Sequence, residues 1–347
     1  MTTYVHPHLR TFTVLIFFFM SCFISSLAQE LSTPLGYMDY ISVEMKNVQK
    51  DTWDYTRAAA HNKSARKVEN RRKDLLASIN TAIGKIKRLK PFEGSTRYRD
   101  SCVSYFMISK AVIDHDYAKI MELEDIAEQS YDNMEAYLMA QQKADEILQE
   151  AGEHLEQEEK RFADEHRINL VESQDKVTKK LKQSTRVYDY YNKVYLLFFK
   201  SYKQEAYLLD ATQKGDVNAM EQNKNSLLKF STEGLEQLKE VKAFDGDASV
   251  KMACTQFLTF CKDEAEKKYQ AIIDFQLKKD SFEKANTSMN KSKNHSKEEV
   301  DAYNKAVKEY NQSINQVNAK SKELNDARNK QLENWNSTIQ HFTSSHV

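Results

Sequence analysis

The histidines of this chain are the first residues to test for chemistry, because histidine is the side chain best suited to acid-base work near neutral pH. The di-iron signature of helical bundles needs Glu-x-x-His on two helices, and no histidine here has a glutamate three positions before it. His154 and His166 follow acidic neighbours, as on a solvated helix face. The sequence contains no HExxH, phosphate-binding loop, GxSxG or CxxCH pattern. It therefore predicts a protein that is not an enzyme and that needs no metal and no cofactor.

A basic run occupies residues 63–73 and an acidic run residues 145–165. The basic run contains five cations that form a candidate patch for an anionic polymer or a membrane surface: Arg66, Lys67, Arg71, Arg72 and Lys73. It contains no aromatic residue on which a base could stack, so we expect no nucleic acid as partner. The alternative, which the sequence favours, is that the basic and acidic helices neighbour each other or are solvated.

Residues 187–209 form an aromatic stretch that is apolar nearly all round a helix. Four of its rings recur at helical spacing: Tyr191, Tyr195, Phe198 and Tyr202. Ligand sites often lie between the helices of bundles, so these rings are a candidate pocket for a small apolar ligand. Most aromatic stripes are core, and a helix with this profile is buried on several faces.

An internal repeat organises the chain. Residues 75–102 return as residues 227–254 at a constant offset of 152 positions, and KPFEG matches KAFDG within them. Ten positions between 75 and 120 are identical without a gap, against about three expected by chance from typical residue frequencies. Self-similarity of this kind indicates a duplication.

Proline and glycine are rare, at 3 and 7 in the whole chain, which predicts long helices. We expect Gly94 and Gly246 to close a helical hairpin in the left-handed conformation. Ser296 with Glu299 predicts a capping box before the last helix. The polar tract 286–296 predicts a loop, and the corresponding turn of the first half is expected near residues 130–134.

These patterns together predict an all-α fold of two tandem four-helix up-down bundles that arose by internal duplication and form an elongated molecule. The first bundle is expected over residues 29–180 and the second over residues 181–347. Residues 1–28 are expected to be a signal peptide, since Arg10 precedes an apolar run over residues 14–27 and a small-x-small cleavage pattern. The apolar run is shorter than the roughly 20 residues of a transmembrane helix.

Export places the mature chain in the periplasm, at the cell surface or outside the cell, with no transmembrane span. A lipoprotein with cleavage before Cys22 is the less favoured alternative. Three cysteines remain after residue 28, an odd number for a disulfide framework: Cys102, Cys254 and Cys261. The last two would lie about 10.5 Å apart on one helix, too far for a disulfide, so buried structural thiols are expected.

The first half of the chain, from about residue 37 to 144, resembles a Leptospira-type family of uncharacterised, exported helical surface proteins. The resemblance is carried by DTWDYTRAAAHNKSARKVENRRKDLL, by FEG with RDS downstream, and by DYAKIMELEDIAEQSYDNMEAYLMAQQKA. It implies a location at the cell envelope and supplies no catalytic residues.

From these observations the sequence predicts a non-enzymatic, exported protein that binds or scaffolds an envelope protein or polymer. The alternative is a carrier that holds a small apolar ligand beside the aromatic helix 187–209.

Overall fold

The computed structural model describes residues 31–60, 65–171, 176–291 and 295–346. Within these ranges the regular structure is helical, and the only β-type pairings are isolated bridges in two tight turns. The predicted all-α class is confirmed. The predicted signal peptide and the alternative lipid anchor at Cys22 lie outside the described residues.

Ten α-helices and two short π-helical segments are described. In chain order they are α1 Pro34–Ala60, α2 Ala65–Lys87, α3 Arg97–Ala111, π1 Val112–Asp116, α4 Tyr117–Ala127, α5 Tyr131–Glu165, α6 Lys176–Lys214, α7 Val217–Glu240, α8 Ser249–Asp263, π2 Glu264–Lys268, α9 Gln270–Lys291 and α10 Lys297–His346. Each π segment joins two α-helices into one continuous rod.

The chain divides into two compact units between Tyr190 and Tyr191. The division lies inside α6, a single helix of 39 residues, and the aromatic stretch 187–209 is part of that helix. The boundary that the sequence suggests between residues 180 and 181 lies in the same helix. The domain ranges 29–180 and 181–347 stay a prediction.

The first unit is built on apolar stripes at helical spacing. On α2, Leu75, Ile79 and Ile86 are fully buried, because residues three and four apart share one helix face. That face packs against α1 and α3, and α5 packs against both α3 and α4. The core therefore runs the length of these helices.

The turns that follow α2 and α7 have the same local structure. A backbone bridge joins Phe92 to Ser95 in the first unit, and an equivalent bridge joins Phe244 to Asp247 in the second. The residue after each phenylalanine has a positive φ, at 46° and 47°, and the glycines that follow have φ of 84° and 90°. Both turns therefore use glycine in the left-handed region, as the repeat predicts.

The helices after these turns begin and end at the same offset. The bounds of α8 lie 152 positions after those of α3, and the bounds of π2 lie 152 positions after those of π1. A π segment is a rare departure from α-helical bonding, and here it recurs at equivalent positions. These matching bounds are compatible with the predicted duplication.

The last hairpin of the second unit is longer than that of the first. Phe162 of α5 packs on Phe92 with ring centroids 5.5 Å apart, and Phe342 of α10 packs on Phe244 at 5.4 Å. Phe342 lies 180 positions after Phe162, whereas the repeat offset is 152. The difference of 28 residues extends the end of α9 and the beginning of α10.

The loop predicted over residues 286–296 is wrong over most of its length, because α9 continues to Lys291. Residues 286–291 are exposed or half-buried on this helix, which meets α10 through Phe282 and Tyr310. The capping box is confirmed: the Ser296 amide donates to Glu299 at 2.9 Å, and the Glu299 amide donates to Ser296 Oγ at 3.2 Å. The turn expected near residues 130–134 lies slightly earlier, over residues 128–130, because Ser130 caps α5 and the helix begins at Tyr131.

Two glycines of the first unit test the turn assignment. Gly94 has φ +84° and Gly84 lies inside α2, and a methyl group at either would meet nothing within 4 Å. Gly94→Ala should lower the free energy of unfolding by about 1–2 kcal/mol, because a β-carbon is strained at positive φ. Gly84→Ala should raise it by about 0.5–1 kcal/mol, because alanine has the higher helix propensity. Urea denaturation of both variants measures this, and two changes of the same sign would contradict the assignment.

Candidate functional site

The basic run predicted as an anion patch lies on α2 and is partly neutralised by acids of the same helix. Arg66 and Lys67 are exposed. The other three cations form ion pairs: Arg71 with Asp74 at 3.2 Å, Arg72 with Glu69 at 2.9 Å, and Lys73 with Glu69 at 3.7 Å. Glu69 is shared by two of these pairs, and α2 as a whole has seven lysines and arginines against two acids. The helix keeps a positive excess, and the patch of five cations stays a prediction.

Arg72 has a structural contact in addition to its ion pair. Its Nη1 donates to the Ile113 carbonyl at 3.2 Å and pairs with Asp114 at 3.3 Å. Both partners lie in π1, where the regular α-helical bonding is interrupted and carbonyl groups need other donors. Arg72 therefore ties α2 to the π segment.

Two members of the acidic run point into the first unit. Asp145 and Glu159 are buried on α5, on the same face as Leu148, Leu155 and Phe162. Their positions repeat at spacings of three and four along this face, so the signal was present in the sequence. The sequence reasoning missed it because it took the acidic run as a whole to be solvated.

Burial disfavours the charged form of both carboxyls. Burial raises the pKa of Glu159 to about 9, with the charge of Glu156 adding to the effect. Burial and the charge of Asp189 raise the pKa of Asp145 well above its usual range. Glu159 lines a cavity of about 10 Å³ together with Asp39 and Ser42. This space suits one water molecule and no larger ligand.

The aromatic residues predicted as a ligand pocket are packed against other rings of the second unit. Tyr191, Tyr195 and Phe198 are buried, and Tyr202 is half-buried. Phe198 lies parallel to Trp335 with centroids 4.1 Å apart. It also meets Phe257 at 4.4 Å and Tyr202 at 5.7 Å. Ring-on-ring packing of this kind is typical of a protein core, so the geometry favours a core, and the ligand pocket stays a prediction.

A buried ionic cluster lies in the second unit, and sequence reasoning missed all three of its members. Arg328 of α10 donates through Nε to Glu205 of α6 and through Nη2 to Glu264 of π2, both at 2.6 Å. Arg328 lies four residues from both Leu324 and Leu332 on the buried stripe of α10. This four-residue spacing was the sequence signal that could have identified Arg328 as buried. The cluster is closed to solvent, so it has no route to a substrate.

The three cysteines of the described chain are buried and carry free thiols: Cys102, Cys254 and Cys261. Burial raises the pKa of each thiol well above its usual range. A thiolate, the reactive form, is therefore scarce at neutral pH. These cysteines are buried between packed helices, as expected from the sequence.

Within the described ranges, histidine, cysteine, aspartate and glutamate side chains form no group of three that could hold a metal ion. Across the same residues, no helix combines the length and the apolar character needed to cross a membrane. The buried ionisable groups of this part of the chain include Asp145, Glu159 and the cluster around Arg328.

No family model, no curated protein and no solved structure matches this chain. The resemblance of the first half to exported helical surface proteins stays a prediction.

Removing the Arg72 side chain tests its structural role. Arg72→Ala should lower the free energy of unfolding by about 1 kcal/mol, a value reduced by the partial exposure of the pair. Arg66→Ala is the matched control on the same helix and should change stability by less than about 0.5 kcal/mol. Chemical denaturation measures both, and equal effects of the two substitutions would contradict the contact with π1.

Thiol reactivity tests the burial of the cysteines. The chain from residue 29 onward should show no rapid modification by a thiol reagent in the folded state, because thiols need exposure and ionisation to react. In denaturant all three should react. Mass spectrometry after timed labelling measures this, and fast labelling of Cys102 or Cys254 in the folded protein would contradict the assignment.

Proposed function

We propose that this chain is an exported, non-enzymatic protein of the cell envelope or surface that binds or scaffolds other envelope components. In this proposal two tandem four-helix up-down bundles, derived by duplication, provide the scaffold. Export is supported by the signal-like residues 1–28, and a non-catalytic role by ionisable groups that face closed cores. The partner is an envelope protein or polymer.

The observation that carries the binding role is the extension of the last hairpin, residues 280–310, which we term the α9–α10 arm. None of its described residues is buried. Buried residues resume only at Ser313 on α10 and end at Ile273 on α9. The arm therefore contributes little to the core and presents most of its surface to solvent.

The arm is nevertheless held in a defined form. Phe282 of α9 lies parallel to Tyr310 of α10 with centroids 5.0 Å apart and planes at 2°, and it meets Tyr303 at 6.3 Å. Ring pairs of this kind stabilise beyond the area they bury. A preorganised exposed hairpin loses little conformational entropy when it binds a partner, which suits it to recognition.

The first unit supplies the design for a test, because it connects the equivalent helices with a short turn at Glu128, Gln129 and Ser130. Replacing residues 280–310 with Glu-Gln-Ser should leave the second unit folded, as judged by circular dichroism and a cooperative melt. The variant should lose the envelope components that the wild-type chain retains from solubilised envelopes of its own organism.

The control for this experiment is the double variant Lys229→Gln and Lys239→Gln, which changes two exposed positions of α7 and leaves the arm intact. It should retain the same components as the wild type. Retention of nothing by the wild type, or of the same set by the arm deletion, would contradict the proposal.

The carrier hypothesis is tested separately by native mass spectrometry of the protein purified from its own organism. A carrier should retain a small molecule whose mass adds to that of the chain. A binding or scaffolding protein should show the mass of the chain alone.

A further inference from the structure

The cluster of Arg328, Glu205 and Glu264 joins three elements of the second unit deep in its core. Glu205 lies on α6, Glu264 on π2 and Arg328 on α10, and their exposed fractions are 1%, 0% and 8%. Each carboxylate receives one guanidinium N–H at 2.6 Å. Arg328 also donates to Asn325 Oδ1 at 2.6 Å.

Counted as fully ionised groups, the cluster carries one negative charge in excess. Cys261 of α8 and Tyr269 after π2 face it, and both are neutral at pH 7. Lys224 of α7 pairs with Glu221 at 2.7 Å, and Lys268 of π2 pairs with Asp263 at 2.9 Å. These lysines are engaged elsewhere, and an uncompensated buried charge is strongly unfavourable.

The second oxygen of Glu264 provides an independent observation. Glu264 Oε2 is buried and has no hydrogen-bond donor among the described atoms. The Glu205 and Glu264 carboxyl groups are neighbours, because each lies 2.6 Å from a nitrogen of the same guanidinium, Nε for Glu205 and Nη2 for Glu264. Two ionised carboxylates on one buried guanidinium repel each other unless a proton neutralises one of them. A single proton there would remove both the excess charge and the unsatisfied acceptor.

We infer that Glu205 and Glu264 share one proton, so that the cluster is neutral, and that the second unit takes up this proton when it folds. The protonated cluster then holds α6, π2 and α10 together, and this link weakens when the proton is lost. The proton forms an O–H bond to Glu264, and the hydrogen bond from this group goes to the Glu205 carboxylate, which stays paired with Arg328.

The electrostatics agree with this geometry. Burial first, and then the charge of Glu205, raises the pKa of Glu264 from 4.5 to about 9, against the opposing effect of Arg328. The unfolded chain has lost this proton above pH 4.5, whereas the folded chain keeps it to about pH 9. Stability from this group is therefore complete below pH 4.5 and is lost as pH rises towards 9.

The first unit shows that the helices do not require this cluster. At the offset of 152, Trp53 and Val112 stand in place of Glu205 and Glu264. At the offset of 180 that relates α5 to α10, Leu148 stands in place of Arg328, and Val112 and Leu148 are both buried. Buried ion clusters can often be replaced by apolar residues without loss of stability. The second unit therefore carries an arginine-carboxylate cluster at positions where the first has apolar residues.

Glu264→Gln tests the inference, because a glutamine amide can donate to Glu205 and accept from Arg328 as the protonated acid does. Trp335 lies in the second unit and Trp53 in the first, and the chain has no other tryptophan. Placing the variants in a Trp53→Phe background makes fluorescence report the second unit alone. Denaturation is then followed between about pH 5.5 and 8.5, where linkage through one proton changes the folding constant roughly tenfold per pH unit.

The expected result is that the folding constant of the reference chain, relative to that of Glu264→Gln, falls by about tenfold for each unit of rising pH. Glu266→Gln, an exposed position in the same π segment, is the matched control and should keep the reference slope. Glu264→Val, which copies Val112, provides a second variant if the amide does not fold. Parallel pH profiles for the reference chain and for a folded Glu264 variant would overturn the inference.

Discussion

Burial of one continuous apolar face on each helix is the constraint on which the rest of this structure depends. Leu75, Ile79 and Ile86 are fully excluded from water on α2, and burial of each such side chain contributes about 1.5–3 kcal/mol. A polar residue on the same face must be paired or neutral. The protonated Glu159 and the paired Arg328 both follow from that rule. The protonation of Glu159 and the ion pairing of Arg328 are thus consequences of their positions on buried helix faces.

The two units share backbone features but differ in the residues that fill their cores. The left-handed turn after α2 and α7 and the π segments π1 and π2 recur at one offset. Inside, the first unit has apolar residues where the second has an ionic cluster, and a buried carboxyl, Glu159, where the second has Ile339. Under the proposed duplication, the scaffold was kept while the buried polar groups diverged, and only the second copy acquired an arm.

The features that the sequence predicts correctly are those set by interactions between residues close together in the chain. Helical spacing identified the stripe of α2, glycine identified the hairpin turn, and Ser296 with Glu299 identified a cap. The extent of α9 was missed because its last turns are exposed or half-buried, so they carry no apolar period from which a helix could be predicted. The buried ions were missed because a charge on an apolar stripe is visible only when each stripe position is inspected individually. The π segments have no sequence signature of their own, and only the geometry of the rods shows them.

A partner could bind the exposed α9–α10 arm without disturbing the buried core, which would suit the proposed binding or scaffolding role. The proposed duplication requires each unit to bury its own apolar core. Native-state hydrogen exchange of backbone amides tests this most directly, because protection reports how firmly each helix is held. The account predicts slow exchange at matching positions of α3 and α8, 152 residues apart, and faster exchange in the α9–α10 arm. Exchange of α3 or α8 at the rate of an unfolded peptide, or an arm protected as strongly as the cores, would contradict it.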